Sequence, residues 1–400
     1  MFGRTLLVLE IVMSLAIASQ AGTYTETTLY NFGVTAGDGS YPNGIPVRDA
    51  QGNLYSVTEH GGEYGYGTVF KFDSSGNESL LHSFNNTDGA TPIGSLTMDT
   101  GGNLYGTTTA GGLTSTAFPQ GMGVVFKITT SGTYSVLYKF GTASSDGASP
   151  FGRLTIDSAG NFYGTTSVGG GTCAINGVFG CGTVYKLTSA GVETILYRFT
   201  GQLDGWEPFS NLVRDGSGNL YGTASAGGKN GQGVLFKLTP KNKLSVIYPF
   251  CSASGCTDGA GPRNIIRTSA GVFYGATPGG GTSLRGVAFK ITSAGVETIL
   301  HNFCPGGTST GCHDGETPNI SLLSGSILYG TTSSGGKDYN DGVAFKLTTG
   351  GSYSVIFNFN NNFNTGNDAN GVTMDTAGNL YGTALNGGAE AGTLFELKKN

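Results

Sequence analysis

The stretch GNLYGTTTAGG at residues 102–112 decides the fold, because the chain repeats it at regular intervals. Close variants read GNFYGTTSVGG at 160–170, GNLYGTASAGG at 218–228 and GNLYGTALNGG at 378–388. The tyrosine of this motif recurs at steps of 50, 58, 58, 53, 55 and 52 residues, and its copies are Tyr55, Tyr105, Tyr163, Tyr221, Tyr274, Tyr329 and Tyr381. A period of this length indicates repeated structural units.

Three further motifs follow the first one in a constant order. They read GVVFKIT at 123–129, SVLYKF at 135–140 and DGASPFGRLTID at 146–157. Each unit thus contains four short runs rich in β-branched and aromatic residues, separated by Gly-rich turns, which is typical of strands. Four antiparallel strands in each radially repeated unit predict an all-β fold, a β-propeller. A parallel β-helix would have a shorter period and fewer turns in each unit.

The number of blades follows from the third motif. It has seven copies, which end at Phe32, Phe84, Phe140, Phe199, Phe250, Phe303 and Phe359. The first copy, TTLYNF at 27–32, precedes every opening motif, and only GTLFELKKN at 392–400 follows the last opening motif. We therefore expect the N-terminal strand to join the C-terminal blade and close a ring of seven, since closure removes exposed sheet edges.

Composition supports this class and argues against others. Glycine makes up 71 of 400 residues, well above the usual share of roughly 7%, but it follows no collagen period. Hydrophobic residues reach 38%, which argues against disorder. Only 12% of residues are charged and the net charge is −5, so we expect no nucleic-acid partner.

The N-terminus has the layout of a secretory signal peptide. Arg4 precedes an apolar run from Leu6 to Ala18, and Ser19 and Ala21 supply the small residues of a cleavage site. The run is shorter than the roughly 20 residues that span a membrane. We expect residues 1–21 to be removed and residues 22–400 to form one propeller domain, exported to the periplasm or the extracellular space without a membrane span. A retained N-terminal anchor is the alternative.

Six cysteines form three local pairs in the sequence: Cys173 with Cys181, Cys251 with Cys256, and Cys304 with Cys312. Proximity favours these pairs among the 15 pairings that six cysteines allow. A structural zinc site needs four Cys or His ligands in close array, and His313 is the only histidine beside a cysteine. The sequence therefore predicts disulfides formed in an oxidising compartment, and it predicts no metal site and no cofactor.

Taken together, the motifs GNLYGTTxxGG, GxVFKLT, LYxF and DGxxP resemble the GloVer tandem repeat of exported bacterial proteins described as choice-of-anchor. The resemblance covers about residues 24–400. It implies a propeller-like surface protein and brings no established activity or catalytic residues, and the C-terminal anchor of that family is missing here. The order of the motifs is also similar to NHL-type propellers, in which the stretch after the proline is the inner strand.

That likeness orients a blade. Residues 152–157 would form the inner strand A, 162–167 strand B, 183–188 strand C and 194–199 the outer strand D. The D–A and B–C loops then share one surface, called here the variable face. Loop length varies mainly on this face, and all three cysteine pairs lie on it. We expect ligands to bind there, because variable loops on a rigid frame carry most binding sites.

Candidate binding residues are those that depart from the repeat on this face. Trp206 stands where other blades have Ser40, Ala90, Ala148, Ala260 and Glu316. Beside it lies Glu207, and Tyr41 occupies the next position of the equivalent loop. Glu59 and His60 in a B–C loop, and His313, complete the set. Trp206 could stack on a sugar or a peptide, or it could simply cover the core at a blade junction.

The most regular polar feature is the aspartate of the Asp-Gly-x-x-Pro motif. Its copies are Asp38, Asp88, Asp146, Asp204, Asp258 and Asp314, with Asp368 taken as a seventh copy without its glycine. A ring of calcium ligands would need oxygens about 2.3–2.6 Å from one ion, and equivalent residues of a wide ring lie too far apart. A turn is favoured, in which Asp accepts backbone N–H bonds. His82 and His301 occupy a tyrosine position of strand D and are expected to be structural.

Two classes of function remain open. We expect a monomeric, non-catalytic propeller that binds a glycan, a peptide or a surface protein on the variable face. The alternative is a secreted polysaccharide hydrolase or lyase, although the sequence contains no recognisable catalytic motif. The segment DYNDG at 338–342 lacks the spaced acidic ligands of a calcium loop.

Overall fold

The computed structural model describes residues 24–171, 173–175, 178–306, 312–337, 341–360, 366–388 and 390–400. The predicted signal peptide, residues 1–21, and residues 338–340 of the DYNDG segment lie outside these ranges. The described residues form seven four-stranded antiparallel blades arranged as a propeller. The predicted strand order is confirmed, since each blade runs from inner strand A to outer strand D in chain order, with one exception at the ring closure.

The strands are as follows. The chain begins with β1 (Tyr24–Asn31). In blade 1 the inner strand consists of two segments that both pair with β4, β2 (Gly39–Pro42) and β3 (Val47–Arg48), and the blade continues with β4 (Leu54–Gly61), β5 (Thr68–Phe72) and β6 (Glu78–Ser83). Blade 2 contains β7 (Thr97–Met98), β8 (Leu104–Thr108), β9 (Val124–Ile128) and β10 (Tyr134–Lys139). Blade 3 contains β11 (Gly147–Ile156), β12 (Phe162–Gly169), β15 (Thr183–Leu187) and β16 (Glu193–Arg198), with a hairpin of β13 (Ala174–Ile175) and β14 (Val178–Phe179) in its B–C loop.

The second half repeats the pattern. Blade 4 contains β17 (Val213–Arg214), β18 (Leu220–Ala224), β19 (Val234–Leu238) and β20 (Leu244–Pro249). A 3-10 helix (Ser254–Cys256) leads into blade 5, with β21 (Ile265–Arg267), β22 (Phe273–Thr277), β23 (Val287–Ile291) and β24 (Glu297–Asn302). Blade 6 contains β25 (Glu316–Ser324), β26 (Ile327–Ser334), β27 (Val343–Thr348) and β28 (Tyr353–Asn358), and blade 7 contains β29 (Asn367–Met374), β30 (Leu380–Asn386) and β31 (Thr393–Lys399).

The first strand of the chain closes the ring. Strand β1 pairs antiparallel with β31, from Tyr24 opposite Lys399 to Asn31 opposite Thr393. It thereby becomes the outer strand of blade 7, in the sheet order β1-β31-β30-β29. The predicted closure by the N-terminal strand is confirmed, and seven blades result.

Aromatic pairs join neighbouring blades in the core. The phenylalanine that ends each SVLYKF-type motif contacts the strand C aromatic of the next blade, with ring centroids 4.9–5.4 Å apart. The seven pairs are Phe32–Phe70, Phe84–Phe126, Phe140–Tyr185, Phe199–Phe236, Phe250–Phe289, Phe303–Phe345 and Phe359–Phe395. These rings are buried, and edge-to-face aromatic contacts add to the hydrophobic gain. The repeated motif therefore encodes the blade junction.

The opening motif forms the tight A–B turn on the face opposite the variable one. At the blade 2 turn, Asp99 accepts hydrogen bonds from the N–H groups of Gly101 and Asn103, both at 2.9 Å. The hydroxyl of Tyr105 donates to the same carboxylate at 3.0 Å. These donors together hold the pKa of Asp99 below its usual value, against the opposing effect of its burial. A charged aspartate thus stabilises the turn in GNLYG.

The three predicted disulfides are present in the described residues. They link Cys173 to Cys181, Cys251 to Cys256 and Cys304 to Cys312. The first closes the B–C loop of blade 3, and the other two close the D–A loops that lead into blades 5 and 6. All three therefore stabilise the variable face. Among the described residues, no helix is both long and apolar enough to span a membrane.

Candidate functional site

One position on the variable face has the same unusual backbone in every blade. The residue before the proline of the Asp-Gly-x-x-Pro motif lies in the left-handed region, with φ of 57° at Tyr41 and 54° at Glu207. The equivalent residues of the other blades are Thr91, Ser149, Gly261, Thr317 and Asp368, all with positive φ. In six blades, within the part of the chain that the structure describes, the N–H of this residue donates to a carbonyl of the preceding blade, as from Ser149 to Met122 at 2.9 Å. The junction thus holds the backbone, while the side chain is free to differ between blades.

Asp368 belongs to this position, and its assignment to the aspartates of the Asp-Gly motif was wrong. In blade 7, Ala369 lies opposite Ala384, just as Pro150 lies opposite Thr166 in blade 3. Ala369 therefore occupies the proline position, and Asp368 precedes it. The error arose because blade 7 has no proline at this position by which its motif could be aligned with the others. Asp368 was therefore assigned to the aspartate position of the motif.

Three charged side chains from different blades lie near enough to influence one another electrostatically. They are Glu59 of blade 1, Arg263 of blade 5 and Asp368 of blade 7, and they are called here the channel mouth. Burial raises the pKa of Asp368, Arg263 opposes this, and Glu59 raises it further. Because blades 5 and 7 are not neighbours, an interaction between Asp368 and Arg263 requires both to face the axis.

Neighbouring polar groups hold the channel mouth in place. The side-chain amide of Asn43 donates to Glu59. Inner strands are also joined around the ring, since Asn370 donates to the Pro42 carbonyl at 3.2 Å and Asn319 to the Asn370 carbonyl at 2.8 Å. Side-chain amides therefore link the inner strands from blade 6 to blade 1.

Three exposed aromatic rings belong to blade 1, the blade that also contains Glu59 of the channel mouth. Among the described residues, the exposed aromatic side chains are Tyr41, Tyr64 and Tyr66, with 38%, 52% and 40% of their surface accessible. All three belong to the variable face of blade 1, and the edge of the His60 ring lies against Tyr41, with centroids 5.8 Å apart. These four residues are called here the blade 1 rim. The sequence prediction identified Tyr41 and His60 but missed Tyr64 and Tyr66. The signal that could have identified them is the presence of two tyrosines among the glycines of TEHGGEYGYG at 58–67.

Strand β4 is longer than predicted, which affects Glu59 and His60. The sequence prediction placed both in a B–C loop, but β4 extends to Gly61 and pairs Ser40 with His60. The two side chains are therefore supported by a strand and not by a loop. Since successive residues of a strand point to opposite faces, Glu59 contacts Asn43 near the axis while His60 lies against Tyr41.

Trp206 is placed differently from these rings. It is half-buried and packs against the cluster at the blade 3–4 junction that includes the Cys173–Cys181 bridge. Its backbone pairs with Ala226, and its ring covers Gly227, where any Cβ would lie 2.7 Å from the indole. Glu207 follows it at the left-handed position, where burial raises the pKa of the carboxyl and a hydrogen bond from Ser225 partly opposes this.

The aspartates of the Asp-Gly motif lie further from the axis, and their carboxylates accept hydrogen bonds from neighbouring groups of the fold. Each of the six pairs with the tyrosine or histidine of the preceding outer strand, as in Tyr138 to Asp146 at 2.8 Å and His301 to Asp314 at 2.8 Å. The other partners of this kind are Tyr30, His82, Tyr197 and Tyr248. Backbone N–H groups of the loop also donate to them, for example Gly141 to Asp146 at 2.8 Å. Across the described residues, no three His, Cys, Asp or Glu side chains form a group that could hold a metal ion.

A cavity of about 450 Å³ opens on the variable face between blades 2 and 3. Phe118, Met122 and Ala148 line its apolar part, and Ser115 lies at its edge. His313 lies elsewhere, exposed in the loop that leads to blade 6. Blade 7 separates it from His60, so the structure does not bring these two histidines together.

Comparison with known proteins agrees with the fold. The seven similar blades define a β-propeller assembled from sequence repeats. The family described as Gloeobacter/Verrucomicrobia repeat matches residues 14–174, 171–327 and 251–400, and the chain belongs to this family. No curated protein matches the chain in sequence.

Solved structures resemble the chain in fold. One is the extracellular domain assigned to a hybrid two component system of B. thetaiotaomicron, with a TM-score of 0.58 and 13% identity, covering 95% of this chain and 41% of that one. Another is the extracellular domain assigned to a one component system of the same organism, with a TM-score of 0.55 and 12% identity, covering 93% and 39%. The chain thus spans about two fifths of these proteins. A gluconolactonase from Xanthomonas campestris has a TM-score of 0.48 and 13% identity, covering 94% and 90%.

Proposed function

We propose that this protein is an exported, non-catalytic propeller that binds a glycan through the blade 1 rim and the channel mouth. The observation that carries the proposal is the concentration of exposed aromatic rings on one blade, beside charged groups that face the axis. A tyrosine ring offers an apolar face and a hydroxyl, and carboxylate, amide and guanidinium groups can bond to sugar hydroxyls. A peptide or a protein partner would use the same surface.

Export is part of the proposal and rests on covalent chemistry. Three disulfides persist only where thiols are not kept reduced, as in the periplasm or outside the cell. The apolar N-terminal run of the sequence would direct the chain there. A binding protein with covalently closed loops would also keep its binding surface intact in that environment.

A glycan array screened with the purified chain, beside a peptide array, tests the proposal. Tyr41→Ala and Tyr64→Ala are each expected to weaken binding by roughly 1–3 kcal/mol, the effect of an interface aromatic, without lowering the unfolding temperature. Ser189→Ala, an exposed change in a C–D turn of the opposite face, serves as the matched control. Binding that survives both tyrosine changes would exclude this surface, and binding to peptides alone would replace the glycan with a peptide ligand.

The enzyme alternative has one observation in its favour. Burial, and then the charge of Glu59, raise the pKa of Asp368, and a carboxyl group with a raised pKa near a second carboxylate is a feature of acid–base catalysis. If the protein is a polysaccharide hydrolase or lyase, a degradation panel should show product, and both Glu59→Gln and Asp368→Asn should abolish it. If the panel stays empty while the array shows binding, the non-catalytic function is supported.

A further inference from the structure

A second group of residues, outside the channel mouth, lies at the blade junctions. At these positions the residue type changes together with that of its neighbour in the preceding blade. The first residue of an outer strand packs beside the Tyr or His of the preceding outer strand. Where the preceding residue is His82 or His301, the packed residue is a tyrosine, Tyr134 or Tyr353, stacked on the imidazole with ring centroids 3.6 and 4.0 Å apart. Where it is Tyr30, Tyr138 or Tyr248, the packed residue is a glutamate.

Each glutamate completes a triplet with the tyrosine and the motif aspartate. The triplets are Asp38–Tyr30–Glu78, Asp146–Tyr138–Glu193 and Asp258–Tyr248–Glu297. The fourth tyrosine, Tyr197, bonds to Asp204 at 3.0 Å in the same way, but Leu244 stands in place of the glutamate. The chain therefore contains its own control junction.

At Tyr248 the geometry requires an additional proton. Its hydroxyl oxygen lies 2.7 Å from Asp258 Oδ2 and 3.2 Å from Glu297 Oε2. A phenol has one proton and can donate to only one carboxylate, whereas a protonated glutamic acid can donate to the phenol oxygen. Both contacts are satisfied when one of the two carboxyl groups carries a proton, and burial favours the neutral form of Glu297 by raising its pKa.

The surroundings of the other glutamates favour the same state. Glu193 faces Asp146, Tyr138, Tyr185 and the cation Arg198, and Glu78 faces Asp38 and Tyr30. Burial, and then the adjacent aspartate, raise the pKa of Glu193 and of Glu297 to about 7 and raise that of Glu78 as well. Asp258 in turn accepts N–H bonds from Ser252 and Ala253 of the disulfide loop, at 2.7 and 3.1 Å.

We infer that the three triplets each share one proton between two carboxyl groups, and that losing this proton as the pH rises weakens the blade junctions and the loops of the variable face. A glutamate whose pKa is higher in the folded chain than in the unfolded chain stabilises the fold, and its full contribution is present at pH values below the unfolded pKa. That stability is lost as the pH rises through the folded value. The contribution of these three junctions to stability thus decreases as the solution changes from acidic to neutral.

The test compares the unfolding temperature at pH 5.5 and pH 8. We expect the wild type to lose about 2–5 °C over this range, and the double variant Glu193→Gln, Glu297→Gln to lose much less, because glutamine stays neutral. Leu244→Glu should add a pH-dependent loss at the control junction, while Glu390→Gln, an exposed change, should leave the profile as it is. Carbon-13 titration of the wild-type carboxyl groups gives a readout that needs no variant.

Two results would overturn the inference. The first is a parallel pH profile for the wild type and the double variant. The second is a carboxyl titration in which every glutamate has its midpoint near the ordinary value of about 4.3. If the double variant does not fold, the titration of the wild type decides alone.

Discussion

Trp206 shows at the scale of single residues how a departure from the repeat can be structural. The indole covers Gly227 and the Cys173–Cys181 bridge at the blade 3–4 junction. The exposed tyrosines of blade 1, by contrast, have over a third of their surface accessible. The unusual residue type at position 206 therefore marks a packing residue. The tyrosines of the glycine-rich loop in blade 1, Tyr64 and Tyr66, form the better candidate surface.

Trp206→Ala is expected to reduce stability more than binding. The half-buried ring should contribute about 2–3 kcal/mol to the free energy of unfolding, less than the 3–5 kcal/mol of a fully buried tryptophan. Urea unfolding measures the loss of stability, and titration with a ligand identified on the glycan or peptide array measures the affinity. Leu203→Ala is the matched control, because Leu203 lies in the same loop with 69% of its surface exposed. If the variant is as stable as the wild type but binds the ligand more weakly, Trp206 is part of the binding surface.

At the scale of single elements, the loops of the variable face depend on covalent closure. The D–A loop into blade 5 contains a 3-10 helix, the Cys251–Cys256 bridge and the aspartate Asp258, which accepts bonds from its backbone. Most residues of this loop are exposed. The bridge stabilises it by limiting the freedom of the unfolded chain.

Replacing both Cys251 and Cys256 with serine should lower the free energy of unfolding by roughly 2 kcal/mol, the chain-entropy value for so short a loop. Chemical unfolding under non-reducing conditions measures the change, and Ser254→Ala in the same loop is the control. Peptide mapping should recover the 251–256, 173–181 and 304–312 links in the wild type. A double variant as stable as the wild type would show that the hydrogen bonds of Asp258 suffice to hold the loop.

For the whole molecule, closure by β1 determines stability. This strand supplies the outer edge of blade 7, and Phe32 beyond it packs on Phe70 of blade 1. A ring without it would expose the β31 edge and open one aromatic junction.

Deleting residues 24–32 should therefore cost more than the roughly 3–5 kcal/mol of a buried phenylalanine alone. Thermal unfolding should shift down for the whole propeller, since each blade is held by its two neighbours. A chain that begins at residue 22 is the control, because it retains β1 and Phe32. An unchanged midpoint after the longer deletion would contradict a stabilising closure.

The sequence by itself determined the blade count, the strand order, the closure and the disulfides, because these depend on local motifs that recur at a fixed period. The Phe of SVLYKF, the tyrosine of GNLYG and the glycines between them act within one blade or its neighbour. Only the tertiary structure decided that Glu59 and Arg263 influence Asp368 electrostatically, since the three are more than 100 residues apart along the chain and belong to blades 1, 5 and 7. It also decided that Tyr64 and Tyr66 are exposed while Trp206 is half-buried, because exposure depends on which neighbours pack against each side chain in the folded ring.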